Sequence, residues 1–275
     1  MATVRKQAKE QVLVEKNGPV TTVILNRPEV RNCVDTPTGR KLVDAFLAFE
    51  RDPKATVAVF WGTGGAFCAG GDLKALSESN GKDWSEDFAF QENGNGELPQ
   101  GPLGPSRLQL SKPVIAAVAG PAVAGGMELA LWCDMRVMEE DAYFGVYCRR
   151  WGIPLIDGGT VRLPRLIGQG RALDIILTGR KVTAEEAYRI GLAERIAPKH
   201  RCREVAEALA HEIARFPQAC VRADRRSVYR AHGLPVAEAL RSEWQTSVHV
   251  LEEEGVAGAA RFSSGKGRGG DFGAI

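Results

Sequence analysis

The sequence predicts an α/β fold in which strands alternate with helices and form stacked βα or ββα turns. Two observations carry this prediction. Short runs such as 55–61 and 113–119 are rich in β-branched and apolar residues, which is typical of buried strands. The segment 36–51 instead has apolar residues at helical spacing. With 275 residues, the chain suits one large domain or one domain with an appendage.

The amino-terminal part begins with a predicted hairpin. Asn17-Gly18 separates two extended-looking runs, 11–16 and 20–25, and this dipeptide is a strong hairpin signal. Further along, the polar segment 77–105 is rich in glycine and proline. That composition predicts a mobile insertion or lid rather than core.

The carboxyl-terminal part predicts a change of architecture. After a helix over 125–132, and from position 171 onward, the pattern indicates helix after helix and no further core-building strand. One long amphipathic helix is predicted over 236–251, where Pro235 suits the start. We therefore predict a core over 1–195 and a helical region over 196–275 for subunit packing or for covering a substrate.

Composition limits the classes of function. Thirty-six basic residues nearly cancel 34 acidic ones, for a net charge of +2, so nothing predicts nucleic acid or anionic lipid as a partner. No apolar run is long enough for a membrane span or a signal peptide, which predicts a cytoplasmic protein without a membrane partner. The six cysteines are dispersed and predict neither a metal site nor a disulfide framework.

Two glycine-rich loops each follow a predicted strand, one over 62–71 and one over 120–128. Bare backbone can turn its N–H groups toward a ligand, and two such donors stabilise an oxyanion. Glu128 falls in the first turn of the helix after the second loop, where it is a general acid or base candidate. The alternative is that the glycines only make tight turns and that Glu128 is an ordinary charge at a helix start.

A set of motifs along nearly the whole chain resembles the enoyl-CoA hydratase/isomerase family, the crotonase superfamily. They are Leu25-Asn26-Arg27-Pro28, Arg31-Asn32, Ala66-Phe67-Cys68-Ala69-Gly70-Gly71-Asp72-Leu73, Lys112-Pro113-Val114-Ile115-Ala116-Ala117-Val118, Gly125-Gly126-Met127-Glu128-Leu129-Ala130, Cys133-Asp134, Leu177-Thr178-Gly179-Arg180, Ala187 and Gly191-Leu192. The resemblance implies a crotonase-like spiral of ββα turns with a helical C-terminal trimerisation region. It also implies a homotrimer or homohexamer that acts on acyl-CoA, with coenzyme A as part of the substrate and no separate cofactor.

The resemblance also implies roles for particular residues. The N–H groups of Gly71 and Gly125 would hold the enolate-like oxyanion formed from the thioester. Ala69 and Lys74 would lie along the CoA moiety, with Arg31 close to it. For Lys74, a solvated helix charge is an equal alternative.

The sequence departs from the family pattern at the second glutamate of the hydratases. That glutamate belongs to a Phe-Gly-x-Pro-Glu motif, whereas this chain has Phe144-Gly145-Val146-Tyr147-Cys148. A thiol cannot replace a water-activating carboxylate without a lowered pKa, so we interpret Cys148 as a packing residue.

Asp157 is a candidate for the missing carboxylate. Isomerases and dehalogenases of the family place an acidic residue one position earlier, where this chain has Ile156. The alternative is that Asp157 caps the segment that follows. Arg149 and Arg150 could pair with Asp157, with other carboxylates or with substrate, and the sequence does not decide between these.

The leading hypothesis is hydration of a trans-2-enoyl-CoA, with Gly71, Gly125, Glu128 and Asp157 as the catalytic set. Double-bond isomerisation fits almost as well, because it needs fewer acid/base groups. Two rival hypotheses are thioester hydrolysis or dehalogenation at Asp157, and acyl-CoA binding without turnover.

Overall fold

The computed structural model describes residues 10–79, 86–90, 99–270 and 272–274. Their strands form two sheets. The main sheet has the strand order β1-β2-β3-β4-β6-β9. Its strands are β1 (Val12–Asn17), β2 (Val20–Leu25), β3 (Val57–Gly62), β4 (Val114–Val118), β6 (Met135–Glu139) and β9 (Arg195–Ala197). The first pair is antiparallel and the other neighbours are parallel. The α/β prediction is confirmed.

A smaller sheet lies beside the main one. Its strands are β5 (Pro121–Val123), β7 (Tyr143–Gly145) and β8 (Lys181–Thr183), in that order. The first two are parallel, and the last pairs antiparallel with β7. An isolated bridge between Cys68 and Ala122 connects this sheet to the first glycine loop.

Helices connect the strands and cover the sheets. They are α1 (Thr36–Arg51), α2 (Leu73–Glu78), α3 (Gly125–Trp132), α4 (Gly159–Ile167), α5 (Gln169–Thr178), α6 (Ala184–Arg189), α7 (Cys202–Ala214), α8 (Gln218–Ala231), α9 (Val236–Val250) and α10 (Val256–Ser263). The bounds of α1 and α3 are those predicted. At the start of α1, the Asp35 carboxylate accepts the N–H of Thr38 at 2.8 Å, which is a good N-cap.

The predicted hairpin is present. Asn17 pairs with Val20 at its end, and Gly18 has a φ of +56°. Because an L side chain rarely adopts this left-handed backbone, glycine suits the turn. The Asn-Gly signal therefore located the turn correctly.

The centre of the main sheet, from β2 to β4, is buried on both faces, as is typical of parallel sheets. On one face Phe60 packs against Phe46 of α1, with ring centroids 5.3 Å apart. On the other face Val59 and Ile115 share a cluster with Leu209 of α7. Strands β3 and β4 are continuous apolar runs because alternate residues supply two cores.

The prediction that core-building strands stop at position 171 is wrong. Strand β8 joins the smaller sheet, and β9 forms an edge of the main sheet. Each strand has three residues, which is too short to show a two-residue period in the sequence. Strand β9 also crosses the predicted boundary at residue 195, and α7 beyond it belongs to the core.

Part of the predicted lid, 80–85 and 91–98, lies outside the described residues. Its carboxyl end does not fit the prediction of a segment outside the core, because Leu103 is buried within the larger core cluster. Gly101 and Gly104 exchange backbone hydrogen bonds of 3.1 and 2.8 Å in a tight turn. A Cβ on Gly104 would lie 2.4 Å from the carbonyl oxygen of Gly39 in α1. Glycine therefore permits a close approach that composition alone does not reveal.

The last helices are tied to the core by Asp134. Its Oδ1 accepts hydrogen bonds from Arg225 Nε at 2.8 Å and from the Tyr229 hydroxyl at 2.6 Å, both in α8. Apolar side chains of the carboxyl-terminal helices are exposed on the single chain: Val228, Val236, Leu240, Trp244, Leu251, Val256 and Phe262. The helical carboxyl-terminal region is therefore present. Its role in trimerisation stays a prediction.

Among the described helices, none has the length and apolar character needed to cross a membrane.

Candidate active site

A cavity of about 320 Å³ opens between the glycine loops and the segment before α4. From the sequence-predicted set, its lining includes Arg31, Ala69, Gly71, Gly125, Glu128 and Asp157, together with Cys148 and Arg150. Lys74 is not in the described lining, although its neighbours Leu73 and Ala75 are. The fold thus brings together the loops and both carboxylates, but places Lys74 outside the cavity wall.

The two glycine loops meet because β3 and β4 are parallel neighbours, so that the chain leaves both strands at the same edge of the sheet. The N–H of Val123 donates to the carbonyl of Cys68 at 3.0 Å. Gly70 has a φ of +95°, and a Cβ there would lie 3.0 Å from the Gly125 nitrogen. Bare backbone at Gly70 is therefore what lets the loops approach so closely.

The residue before α3 has an unusual backbone conformation. Ala124 has φ 53° and ψ −127°, a region rarely occupied by residues with a side chain. Such conformations cost free energy and cluster at functional sites. Directly after it, Gly125 begins the helix. Among the described residues, neither Gly125 nor Gly71 donates its N–H to a backbone carbonyl.

Gly126→Ala is expected to destabilise the fold, because the new Cβ would lie 2.0 Å from the carbonyl oxygen of Cys68. This contact is with backbone, so the loop and helix would have to move apart. We expect the free energy of unfolding to fall by about 1–3 kcal/mol, measured by chemical denaturation. Gly170→Ala in α5 is the matched control, since no atom lies within 4 Å of its added Cβ. An equal loss in both variants would contradict this explanation.

Glu128 is held by backbone from another part of the chain. Its side chain is only 3% exposed. Oε1 accepts the N–H groups of Asp157 at 2.9 Å and of Gly159 at 2.8 Å. A Cβ on Gly159 would lie 3.0 Å from the same oxygen. Burial, reinforced by the nearby charge of Asp157, raises the pKa of Glu128 to about 8.

Asp157 is equally buried, at 3% exposure. Its Oδ1 accepts the hydroxyl of Ser106 and, at 3.1 Å, the N–H of Leu103. Burial raises the pKa of Asp157, while these two hydrogen bonds and the charges of Arg107 and Arg162 act in the opposite direction. The capping interpretation is wrong, because Gly158 is the N-cap residue of α4 and no side chain caps that helix.

The two carboxylates share one pattern. In each, one oxygen accepts two hydrogen bonds and is thereby fixed in orientation. Within the described ranges, Glu128 Oε2 and Asp157 Oδ2 accept no hydrogen bond. Both residues line the same cavity. In each carboxylate, one oxygen is therefore held in place and the other has no described hydrogen bond.

The pKa of Glu128 predicts how stability depends on pH. Its ordinary value is 4.5 and its value in the folded protein is about 8. Between these values the folded protein retains a proton that the unfolded chain releases, so stability is lost as pH rises through this window. Glu128→Gln has no charge to bury and keeps an oxygen for the N–H groups of Asp157 and Gly159.

We therefore expect the Glu128→Gln variant to melt roughly 2–6 °C above the wild type at about pH 8, and this gap to narrow toward about pH 5. Calorimetry at both pH values measures it. A gap that does not change with pH would show that Glu128 is not neutral in the folded protein.

The Phe-Gly-Val-Tyr-Cys segment contributes a thiol, and two arginines follow it directly. Cys148 lines the cavity, and burial raises its pKa, so that it is a neutral thiol. Arg149 donates to the carbonyl of Ile176 at 3.2 Å. Arg150 lies over the ring of Tyr147, 4.6 Å from its centroid. No described contact joins either arginine to Asp157, so the pairing left open by the sequence is not observed.

Sequence reasoning missed three groups around Asp157: Ser106, the Leu103 backbone and Arg162. Ser106 and Leu103 lie in or next to the segment interpreted as a lid, and no motif marks them. Arg162 is five residues after Asp157, and only this short separation in the sequence could have indicated that the two residues are close.

Metal binding has no support in the described part of the chain, where no group of three or more His, Cys, Asp or Glu side chains could hold an ion. The expectation that no separate cofactor is needed stays a prediction.

Comparison with known proteins identifies the family of the chain. The model of the family described as enoyl-CoA hydratase/isomerase matches residues 15–263. The chain is similar to enoyl-CoA hydratase EchA19 of Mycobacterium tuberculosis, with 35% identity over 96% of each chain. It is also similar to carnitinyl-CoA dehydratase of Salmonella arizonae, with 35% identity over 84% of this chain and 85% of that one.

Solved structures agree with these relatives. The crystal structure of an enoyl-CoA hydratase from Mycobacterium tuberculosis superposes with a TM-score of 0.83 and 32% identity, covering 92% of this chain and 96% of that one. An enoyl-CoA hydratase from Bacillus anthracis gives a TM-score of 0.80 and 29% identity, covering 93% and 96%. The resemblance found in the motifs is confirmed, and the chain belongs to the enoyl-CoA hydratase/isomerase family.

Proposed function

We propose that the protein adds water to a trans-2-enoyl-CoA thioester. The observation that carries this proposal is the pair of buried carboxylates, Glu128 and Asp157, each with one oxygen fixed and one free beside the same cavity. Addition of water requires one group to take a proton and another to give one. Relatives named hydratase and dehydratase support a reaction that adds or removes water.

The electrostatics suggest which carboxylate has which role. The pKa of about 8 keeps Glu128 protonated at neutral pH. Asp157 is favoured as the ionised member, because Ser106 and the Leu103 N–H donate to it and Arg107 and Arg162 are close. When two neighbouring carboxyls differ in this way, the neutral one serves as acid and the charged one as base.

The steps of the proposed reaction follow from these roles. Asp157 takes a proton from water as the water oxygen bonds to Cβ. The π electrons move toward the thioester, and the resulting enolate oxygen is stabilised by the N–H groups of Gly71 and Gly125. Glu128 then gives its proton to Cα. Return of the proton from Asp157 to Glu128, directly or through solvent, restores the starting state.

The substrate would occupy the cavity with its CoA part toward Arg31 and Ala69, which both line it and are joined by a hydrogen bond from the Ala69 N–H to the Arg31 carbonyl at 3.0 Å. Lys74, outside that lining, would meet only the part of CoA that extends beyond it. In this proposal the substrate is an acyl-CoA, and coenzyme A binds as part of that substrate.

Isomerisation is the second candidate, favoured by one observation. A double-bond shift needs a single group that moves a proton, and the free oxygen of Glu128 meets that need without Asp157.

Loss of enoyl-thioester absorbance on mixing the protein with trans-2-enoyl-CoAs of increasing length tests the main proposal of hydration. We expect turnover with at least one chain length. No loss of absorbance with any chain length would favour isomerisation, another CoA reaction or binding alone.

We also propose a homotrimer or homohexamer in the cytoplasm. The exposed apolar side chains of α8 to α10 support assembly, since patches of this kind commonly lie in interfaces. Light scattering of the purified chain gives the mass directly, and a monomeric mass at micromolar concentration would contradict the assembly.

A further inference from the structure

The side chain of Arg162 connects the two segments that carry Asp157 and its hydrogen-bond donor. Nη1 donates to the carbonyl of Asp157 at 2.9 Å, and Nη2 donates to the carbonyl of Ser106 at 2.7 Å. None of the ion pairs among the described residues involves Arg162. Its guanidinium therefore acts as a fork between two carbonyls rather than as a salt-bridge partner.

Two glycines make room for this arrangement. A Cβ on Gly158 would lie 2.1 Å from Arg162 Nη1, and Gly158 has a φ of +99°. A Cβ on Gly101 would lie 1.9 Å from the Ser106 hydroxyl and 3.0 Å from Asp157 Oδ1. Neither Gly158 nor Gly101 has a side chain that would collide with these polar groups.

Ser106 contacts the carboxylate itself. Its side chain is buried, and its hydroxyl donates to Asp157 Oδ1, the oxygen that also accepts the Leu103 N–H. A donor on a carboxylate favours the ionised form. Because both donors hold the same oxygen, they also fix the direction of the other one.

We propose that Ser106 and Arg162 are positioning residues for Asp157: the Arg162 fork holds the two segments in register, and the Ser106 hydroxyl orients the Asp157 carboxylate and keeps it ionised. This inference rests on the proposed function, in which Asp157 takes the proton from water.

Ser106→Ala tests the role of the hydroxyl. Loss of one charge-assisted hydrogen bond raises the pKa of Asp157, so the acidic limb of the kcat/KM profile is expected to move up by about one pH unit. Turnover at the acidic end should fall about tenfold and recover at higher pH, with KM nearly unchanged. A merely structural role would lower activity at every pH without moving the limb.

Arg162→Lys tests the fork, because an ammonium lacks the planar geometry needed to serve both carbonyls. We expect kcat to fall about tenfold or more with little change in KM. Arg165→Lys is the matched control: Arg165 lies in the same helix, is exposed, and its one hydrogen bond within the described part of the chain goes to the carbonyl of Val161. Melting temperatures of all variants identify any that fail to fold. If Arg162→Lys does not fold, the pH profile of Ser106→Ala tests the inference alone.

The outcomes separate the two claims. If Asp157→Asn loses activity but Ser106→Ala keeps the wild-type pH profile, the positioning inference is wrong and the proposed function stands. If Asp157→Asn turns over like the wild type, Asp157 is not the base and the positioning inference fails, while hydration itself is judged separately from the product that the wild type forms.

Discussion

Glu128→Gln is expected to lower kcat for hydration by a factor of about 10² to 10⁴, with a much smaller effect on KM. Glutamine keeps the oxygen that accepts the N–H groups of Asp157 and Gly159, so the orientation of the side chain should persist. What it loses is the exchangeable proton. Stopped-flow or steady-state loss of enoyl-thioester absorbance measures the effect.

A control distinguishes this loss from a general effect of removing a negative charge. Glu185→Gln, exposed in the first turn of α6 and outside the cavity lining, should have wild-type activity. Titration with a saturated acyl-CoA should give the same affinity for Glu128→Gln and wild type. Unchanged turnover in Glu128→Gln would remove this residue from the mechanism.

Asp157→Asn is expected to lower kcat by about 10² or more, because an amide cannot take a proton from water. Asparagine keeps an oxygen for the Ser106 hydroxyl and the Leu103 N–H, so the surrounding contacts should hold. Steady-state hydration with the trans-2-enoyl-CoA that the wild type uses best measures the loss.

Cys148→Ala is the informative comparison for Asp157→Asn. The thiol occupies the position of the second glutamate of the hydratase motif, yet burial keeps it protonated. We expect its removal to change kcat by no more than about threefold, apart from a small packing loss. The reverse pattern, with Cys148→Ala inactive and Asp157→Asn active, would place the second catalytic group at position 148.

Features that depend on local sequence were predictable. Asn17-Gly18 located the hairpin, and apolar spacing gave α1 with its bounds. The glycines of the two loops pointed to exposed backbone N–H groups, and the parallel pairing of β3 and β4 explains why those loops meet. The sequence also predicted that Glu128 lies in the first turn of α3.

Features that depend on contacts distant in sequence were not predictable. Ser106 reaches Asp157 across 51 residues, and nothing near Ser106 in the sequence signals a buried carboxylate. The turn at Gly101 and Gly104 has the composition of a solvent-exposed loop, but its glycines permit close packing against α1 and Ser106. Composition cannot distinguish glycine chosen for mobility from glycine chosen for close approach.

The fold also links the positions of the two carboxylates. Glu128 Oε1 is held by the backbone of the segment that carries Asp157, so movement of one displaces the other. Burial raises the pKa of Glu128, and the charge of Asp157 in the same cavity raises it further. A neutral Glu128 beside an Asp157 carboxylate that accepts two hydrogen bonds is the physical basis of the proposed acid and base roles.

The most direct test of the central claim is mass spectrometry of the product formed from crotonyl-CoA by the wild-type protein. Hydration adds one water to the thioester and leaves CoA attached, and this is the product we expect. A new product that has the mass of crotonyl-CoA but separates from it chromatographically would indicate a double-bond shift. Release of free CoA would indicate thioester hydrolysis, and either result would contradict the proposed reaction.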